Sequence, residues 1–305
     1  MWTERGWRSR HVCYLSWVTA ASLVACSNPN YGFSGSDLSQ SPAKGTDQSS
    51  GGSTGTCTLQ DVTIPVRVMF AVDASGSNRL PTVDQGTEIC SDSDYLTDGN
   101  PLHCSPPTDP QKTFRRNSIT QFFNSYQGKT NFSWGFEIFA GDSLRPLITA
   151  DGRWPNFGNS AAMVAAIRRF SGNTDQGGTP YLAALAGIKQ AIENDPGLPQ
   201  TGAAAPVYFV VFMSDGYPSD AINGTSPVTV DLAALKSAIT GILALAPARI
   251  TLSTVYYGTI NDPVAASTLQ TMAKAGLGQF ANVDTGSISS ISVNDLIKVP
   301  VGDCK

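Results

Sequence analysis

Apolar residues along this chain gather in short runs separated by polar stretches. Residues 66–72 read Val-Arg-Val-Met-Phe-Ala-Val, 207–213 read Val-Tyr-Phe-Val-Val-Phe-Met, and 250–257 read Ile-Thr-Leu-Ser-Thr-Val-Tyr-Tyr. Runs of this length, rich in β-branched and aromatic types, predict strands buried on both faces of a parallel sheet. Residues 132–139 alternate apolar and polar positions and predict another strand, while 144–149 predict a short edge strand and 279–283 a last short one. Elsewhere the apolar spacing is helical. Over 113–126, Phe114, Ile119, Phe122, Phe123 and Tyr126 fall on one side. Helices are also predicted over 161–170, 181–194, 232–245, 263–275 and 288–297, with Pro180 just before one start and Gly276 just after one end. Strands alternating with helices predict an α/β fold. Its sheet should be doubly wound and mostly parallel, with helices on both faces and one short antiparallel edge strand.

The first 56 residues do not follow that scheme. Arg5, Arg8 and Arg10 make a basic start, and 14–25 follow as a mostly apolar run too short to span a bilayer. The run ends Leu23-Val24-Ala25-Cys26, which resembles the bacterial lipobox. That resemblance implies a signal peptide over 1–25 and lipid on the sulfur and new amino terminus of Cys26. An ordinary export signal with an incidental cysteine is the rival reading. Ser27, where an Asp would imply retention at the inner membrane, favours the outer membrane of a Gram-negative envelope. Residues 26–56 are Ser, Gly, Asn, Asp and Pro with almost nothing apolar. They cannot bury a core and predict a flexible tether with a reach of about 30 Å. Residues 57–305 are left as one domain, and no apolar run in it reaches the ~18 residues of a membrane span.

The formal net charge is −4. Loss of residues 1–25 removes three Arg and one Glu, which takes it to −6. A weakly charged, acidic chain has no electrostatic footprint for nucleic acid and none for anionic lipid. The expected membrane contact is the lipid at Cys26, and a monomer is expected. With Cys26 lipidated, Cys57, Cys90, Cys104 and Cys304 remain, and an even number in an exported chain predicts disulfides. Three pairings are open. Cys57–Cys304, which brackets the domain, and Cys90–Cys104, which brackets a local loop, are favoured. Closing the longer loop would contribute up to roughly 5 kcal/mol. A zinc site is disfavoured, because there is no close Cys-x-x-Cys pair and only His103 could help.

Three stretches carry candidate chemistry. The first strand ends in Asp73-Ala74-Ser75-Gly76-Ser77, one carboxylate and two hydroxyls on a tight turn. Gln176-Gly177-Gly178-Thr179-Pro180 offers a hydroxyl on a Gly-rich loop before a helix, and 207–213 runs into Ser214-Asp215-Gly216. Hard oxygen donors suit Mg²⁺, Mn²⁺ or Ca²⁺ rather than zinc or copper. In order and context the three stretches resemble the von Willebrand factor A (vWA) domain family. Its metal-ion-dependent adhesion site (MIDAS) combines an Asp-x-Ser-x-Ser turn, a Thr on a second loop and an Asp on a third. The resemblance implies a vWA/Rossmann-like fold and a divalent cation held by Asp73, Ser75, Ser77, Thr179 and Asp215. Mg²⁺ is the expected ion, with Mn²⁺ or Ca²⁺ as alternatives. Two departures stand out. Asn78 follows the second Ser, where the family often has Met. Residues 78–110, rich in Pro, Asp, Ser and Thr, separate the turn from the first helix and predict an insertion beside the site. Asp92, Asp94 and Asp98 lack the spacing of an EF-hand and predict a solvated acidic loop.

Two carboxylates and three neutral hydroxyls leave a divalent ion with positive character. The resemblance implies that an acidic side chain of a protein partner completes the coordination, which predicts adhesion or protein–protein interaction. The alternatives are an assembly subunit of an envelope complex with a purely structural metal and, further off, a metal-dependent hydrolase. No catalytic residue is expected, since His103 is the one histidine beyond the leader and no P-loop lysine follows a Gly-rich loop. Tyr217 and Asn78 are the expected partner contacts beside the metal, and Trp154 is a further exposed candidate. Trp134 and Phe136 are expected in the core.

Overall fold

In β1 (Val66–Asp73), Val66, Val68, Phe70 and Val72 pack into one apolar layer, while Met69 and Ala71 pack into another on the opposite face. Burying each larger side chain contributes roughly 1.5–3 kcal/mol, so this strand is the natural centre of the sheet. The computed structural model describes residues 64–80, 82–83, 104–223, 229–258 and 262–297. The expected leader and tether, Cys26, Cys57, Cys90, Cys304, His103 and the acidic positions 92, 94 and 98 lie outside them, and Cys104 is described in its backbone alone.

The other strands of the main sheet are β2 (Phe132–Ala140), β3 (Ser143–Pro146), β4 (Val207–Ser214), β5 (Ile250–Tyr257) and β6 (Leu277–Val283). Their order is β6-β5-β4-β1-β2-β3. Every neighbouring pair is parallel except β2 with β3, so the edge strand expected over 144–149 is real, antiparallel and shorter. The helices are α1 (Thr113–Tyr126), α2 (Ser160–Ser171), α3 (Tyr181–Glu193), α4 (Leu232–Leu243) and α5 (Pro263–Ala275). Phe114, Phe122 and Phe123 of α1 and Met163 and Phe170 of α2 cover one face, with Trp134 and Phe136 among them. Leu185 and Ile188 of α3, Ile239 of α4 and Leu269 of α5 cover the other. The fold is therefore the doubly wound α/β architecture that the sequence predicts. Among the described residues no helix is long and apolar enough to cross a membrane.

Four of the five described α-helix starts are fixed by carboxylates, and α2 is capped by the amide oxygen of Asn159. Asp109 accepts the backbone N–H of Phe114 and of Arg115, each at 3.1 Å, and Asp231 and Asp262 cap α4 and α5 from their own N-cap positions. Asp220, remote in sequence, accepts the N–H groups of Leu182 and Ala183 at the start of α3.

The helix expected over 288–297 does not form. The chain there crosses α1 irregularly, with a single 3₁₀ turn at Val293–Asp295. Its polar groups are satisfied across elements instead: the hydroxyl of Ser118 accepts from the N–H of Ile291 at 3.0 Å, and Tyr126 donates to Asn294 at 2.8 Å. Ser289, Ser290, Ser292 and Asn294 crowd the segment, and such side chains compete with a helical backbone for hydrogen bonds. Val293, Leu296 and Ile297 are buried all the same, so the apolar spacing records a docked strap rather than a helix.

Candidate metal centre

β1 ends at Asp73 and β4 ends one residue before Asp215, side by side at the same edge of the sheet. The winding reverses between them: the chain moves from β1 to β2 and β3 on one side, then returns to β4 on the other. Open α/β sheets seat ligands at such a reversal, beyond the carboxyl ends of the strands.

Asp73 is fully buried. Its Oδ1 accepts the backbone N–H of Ser75 at 2.7 Å, and its Oδ2 accepts the hydroxyl of Ser214 at 2.5 Å. The Ser75 and Ser77 hydroxyls lie 3.0 Å apart, and Ser77 donates to Oδ1 of Asp215 at 3.1 Å. The short 3₁₀ turn Gly76–Asn78 brings these alternate hydroxyls together. Burial, and then the charge of Asp215, push the Asp73 carboxyl up to about 8, against the hydroxyls of Ser214 and Ser75. Burial also raises Asp215, and the Thr108 hydroxyl, the Arg115 guanidinium and the Ser77 hydroxyl offset part of that rise.

The Thr179 loop is locked from two directions. The N–H of Gly76 donates to the carbonyl of Gly177 at 2.9 Å, and that of Gln176 to the carbonyl of Ala74 at 2.9 Å. From the Asp215 side, Ser219 accepts the N–H of Thr179 at 3.0 Å and donates its own N–H to the carbonyl of Thr179 at 2.9 Å. A methyl group added at Gly216 would sit 3.8 Å from the Thr179 hydroxyl, so that oxygen lies beside the Asp215 loop. Gly177 has φ +76°, and a Cβ there would come within 2.7 Å of Gly141, so the turn after β2 leaves room only for glycine.

The donor set fits a hard divalent cation. Two buried carboxylates face one another, and Oδ2 of Asp215 is buried with no hydrogen-bond partner. A buried anionic oxygen without a donor is costly unless a cation or water satisfies it. Among the described residues no group of three or more His, Cys, Asp or Glu is placed to hold a metal; here hydroxyls make up the number.

Asn78, expected as a partner contact, is instead fully buried beneath the turn. Its amide Nδ2 reaches Asp215 Oδ1 at 3.3 Å, Ser75 Oγ at 3.4 Å and Asp73 Oδ1 at 3.5 Å, and Tyr257 donates its phenol to Asn78 Oδ1 at 2.9 Å. Tyr217 is half-buried, and Trp154 is 54% exposed. Beneath the site lies a buried charge network that the sequence reading missed. Arg115 binds Asp109 Oδ2 at 3.0 Å and Asp175 Oδ2 at 2.8 Å, while Lys112 lies 3.1 Å from Asp175 Oδ1. Burial works against the Arg115 charge, but Tyr257, Asp175 and Asp109 outweigh it and raise the guanidinium above its ordinary value. Ser214 was also missed, although it stands directly before Asp215 and could have been suspected as the last residue of a buried strand.

No family model matches the chain, and no curated protein matches it. Solved structures do share its general form. A von Willebrand factor type A protein from Catenulispora acidiphila aligns at 14% identity and TM-score 0.45, covering 72% of this chain and 38% of that one. The SpRpn10 VWA domain aligns at 10% identity and TM-score 0.46, covering 74% and 91%. The vWF domain of the type V pili tip protein Mfa5 from Porphyromonas gingivalis aligns at 10% identity and TM-score 0.45, covering 74% and 92%. This chain thus spans well under half the length of the first of these. The likeness is one of fold alone.

Proposed function

We propose that residues 57–305 form a vWA-like module that holds a divalent cation at Asp73, Ser75, Ser77, Thr179 and Asp215 and, through it, an acidic group of a protein partner. The observation that carries this reading is Oδ2 of Asp215, an unpartnered carboxylate oxygen buried beside a second carboxylate. A bound Mg²⁺ or Mn²⁺ would supply the missing positive charge and an open position for an outside oxygen. The protein's own groups prepare the place. The N–H of Ser75 and the hydroxyl of Ser214 hold Asp73, and Ser77 and Asn78 occupy Oδ1 of Asp215, which leaves Oδ2 available. Two carboxylates only balance a divalent ion, and the network behind them, in which Arg115 and Lys112 are matched by Asp109 and Asp175, adds no further negative charge to repel an incoming anion.

The partner surface beside the metal would include an open groove of about 430 Å³ between residues 108–114 and 285–289. It adjoins the site through Thr108, whose carbonyl accepts the Thr285 hydroxyl at 2.8 Å. A binding module is preferred to an enzyme because His103 is the one histidine beyond the leader and both oxygens of Asp73 are committed to structural hydrogen bonds. The leader alone supports export and lipid anchoring at Cys26, with the outer membrane as destination.

Calorimetric titration of Mg²⁺, Mn²⁺ and Ca²⁺ into the metal-stripped chain, beside Asp215→Asn, tests the metal. Saturable one-site binding by the parent, weakened at least about tenfold in the variant, is expected. A folded parent that binds none of the three ions overturns the proposal. Binding of an acidic partner should then vanish with chelator; affinity that survives chelation would point to a structural metal or to none.

A further inference from the structure

Asn78 stands where an outward-facing contact was expected, yet it forms the floor of the site. Its orientation is set by one bond. The Tyr257 phenol donates to Oδ1 at 2.9 Å, so Nδ2 must face the candidate ligands. Tyr257 is itself immobilised: it is fully buried, its ring stacks on Phe114 at 5.4 Å between centroids, and the Arg115 guanidinium lies 5.8 Å from that ring. Burial raises the Tyr257 phenol well above its usual range, which keeps the O–H donor in place.

The amide therefore presents its positive end to three oxygens, one each from Asp73, Ser75 and Asp215. Calcium cages collect six to eight oxygens and gain affinity with each added carboxylate, whereas Mg²⁺ and Mn²⁺ accept fewer protein oxygens and keep waters. A donor on the buried side does the opposite of a further ligand. It engages lone pairs of oxygens already present and adds none.

We propose that Asn78, oriented by Tyr257, is the residue that determines cation preference at this site, turning it from Ca²⁺ toward smaller ions and leaving the bound ion electron-poor. The inference rests on the metal-site reading above. It makes Asn78 a positioning residue and not a ligand, because the face that it offers is a donor.

The test is titration of the full chain and three variants with Mn²⁺ and with Ca²⁺, with thermal unfolding of each in chelator. Asn78→Asp puts a carboxylate oxygen where the N–H was and should raise affinity for Ca²⁺ relative to Mn²⁺ by about tenfold. Tyr257→Phe removes the bond that prevents the amide from turning over, so its oxygen can face the site. The same ratio should rise by about threefold even though neither Asn78 nor any candidate ligand has been replaced. Asn78→Leu removes the donor without adding an oxygen, so it should lower stability and raise the ratio by clearly less than Asn78→Asp does. A ratio unchanged in both Asn78→Asp and Tyr257→Phe, with the parent binding Mn²⁺, overturns this inference and leaves the metal site standing. A Ca²⁺ gain in Asn78→Leu equal to that in Asn78→Asp would show a packing effect and also overturn it. A parent that binds neither ion overturns both readings. If Asn78→Asp does not fold, Tyr257→Phe decides alone.

Discussion

The Arg115 guanidinium donates from Nη1 to the main-chain oxygen of Asp73 at 2.6 Å, so a fully buried cation is clamped to the end of the central strand. The same side chain binds Asp109, which caps α1, and Asp175, which precedes the Thr179 loop. Three segments that build the site thus share one charge. Replacing Arg115 with Met would leave Asp175 paired with Lys112 alone and Asp109 with no cation, only the backbone N–H groups at the start of α1. Removing one partner from a buried network typically costs about 3–5 kcal/mol. Urea unfolding of Arg115→Met should show a loss of that size, and a loss below about 1 kcal/mol would mean that the network contributes little.

Gly177 and Gly141 are pressed together. Gly177→Ala combines a left-handed backbone with a Cβ 2.7 Å from the Gly141 Cα. A destabilisation of about 1–3 kcal/mol is expected. Because the clash would displace the loop that carries Thr179, metal affinity should fall as well. Gly141→Ala, also at positive φ but with open space around it, should cost only about 1 kcal/mol and leave metal binding intact. Equal loss of metal affinity in both variants would contradict this picture.

Glu137 is fully buried on β2 with both carboxyl oxygens unpartnered, against Gly187 of α3. Burial raises its pKa well above the ordinary carboxylate value, so the folded protein keeps a proton that the unfolded chain releases. Stability is then full below the unfolded value and falls as pH rises from there toward the folded value. Glu137→Gln abolishes this term. Parent and variant should have similar stability near pH 4, and the variant should gain by at least about 1 kcal/mol at pH 7. Parallel stability curves from pH 4 to 8 would disprove a buried, protonated Glu137.

In the metal-free protein, burial and then the charge of Asp215 push up the Asp73 carboxyl, so keeping both groups ionised costs stability. Asp215→Asn should therefore unfold at a higher temperature than the parent in chelator, and at a lower temperature in saturating Mn²⁺. That crossover, read by calorimetry, separates a metal ligand from a structural carboxylate, whose loss would destabilise the protein under both conditions.

Strand positions, helix positions and the three site loops were legible in the residues, because each depends on a local pattern. A buried strand needs a run of apolar residues, and a loop at its end shows its carboxylate wherever the run stops. The segment over 288–297 misled for the same reason: apolar spacing reports which side chains are buried, not whether the backbone between them closes its own hydrogen bonds. Asn78 misled because its position beside Ser77 says nothing of which way the turn rolls.

Local pattern along the chain is enough to specify a doubly wound sheet, helices on both faces, and the set of oxygen-bearing loops at one edge. What stands beneath those loops follows from long-range packing. Tyr257 meets Asn78 across 179 residues, Ser214 meets Asp73 across 141, and Arg115 meets the Asp73 carbonyl across 42. None of these contacts leaves a periodic trace, because each depends on two distant segments being packed together on the same core. The loops that carry the ligands are local, but the charge and the hydrogen bonds that tune them are not.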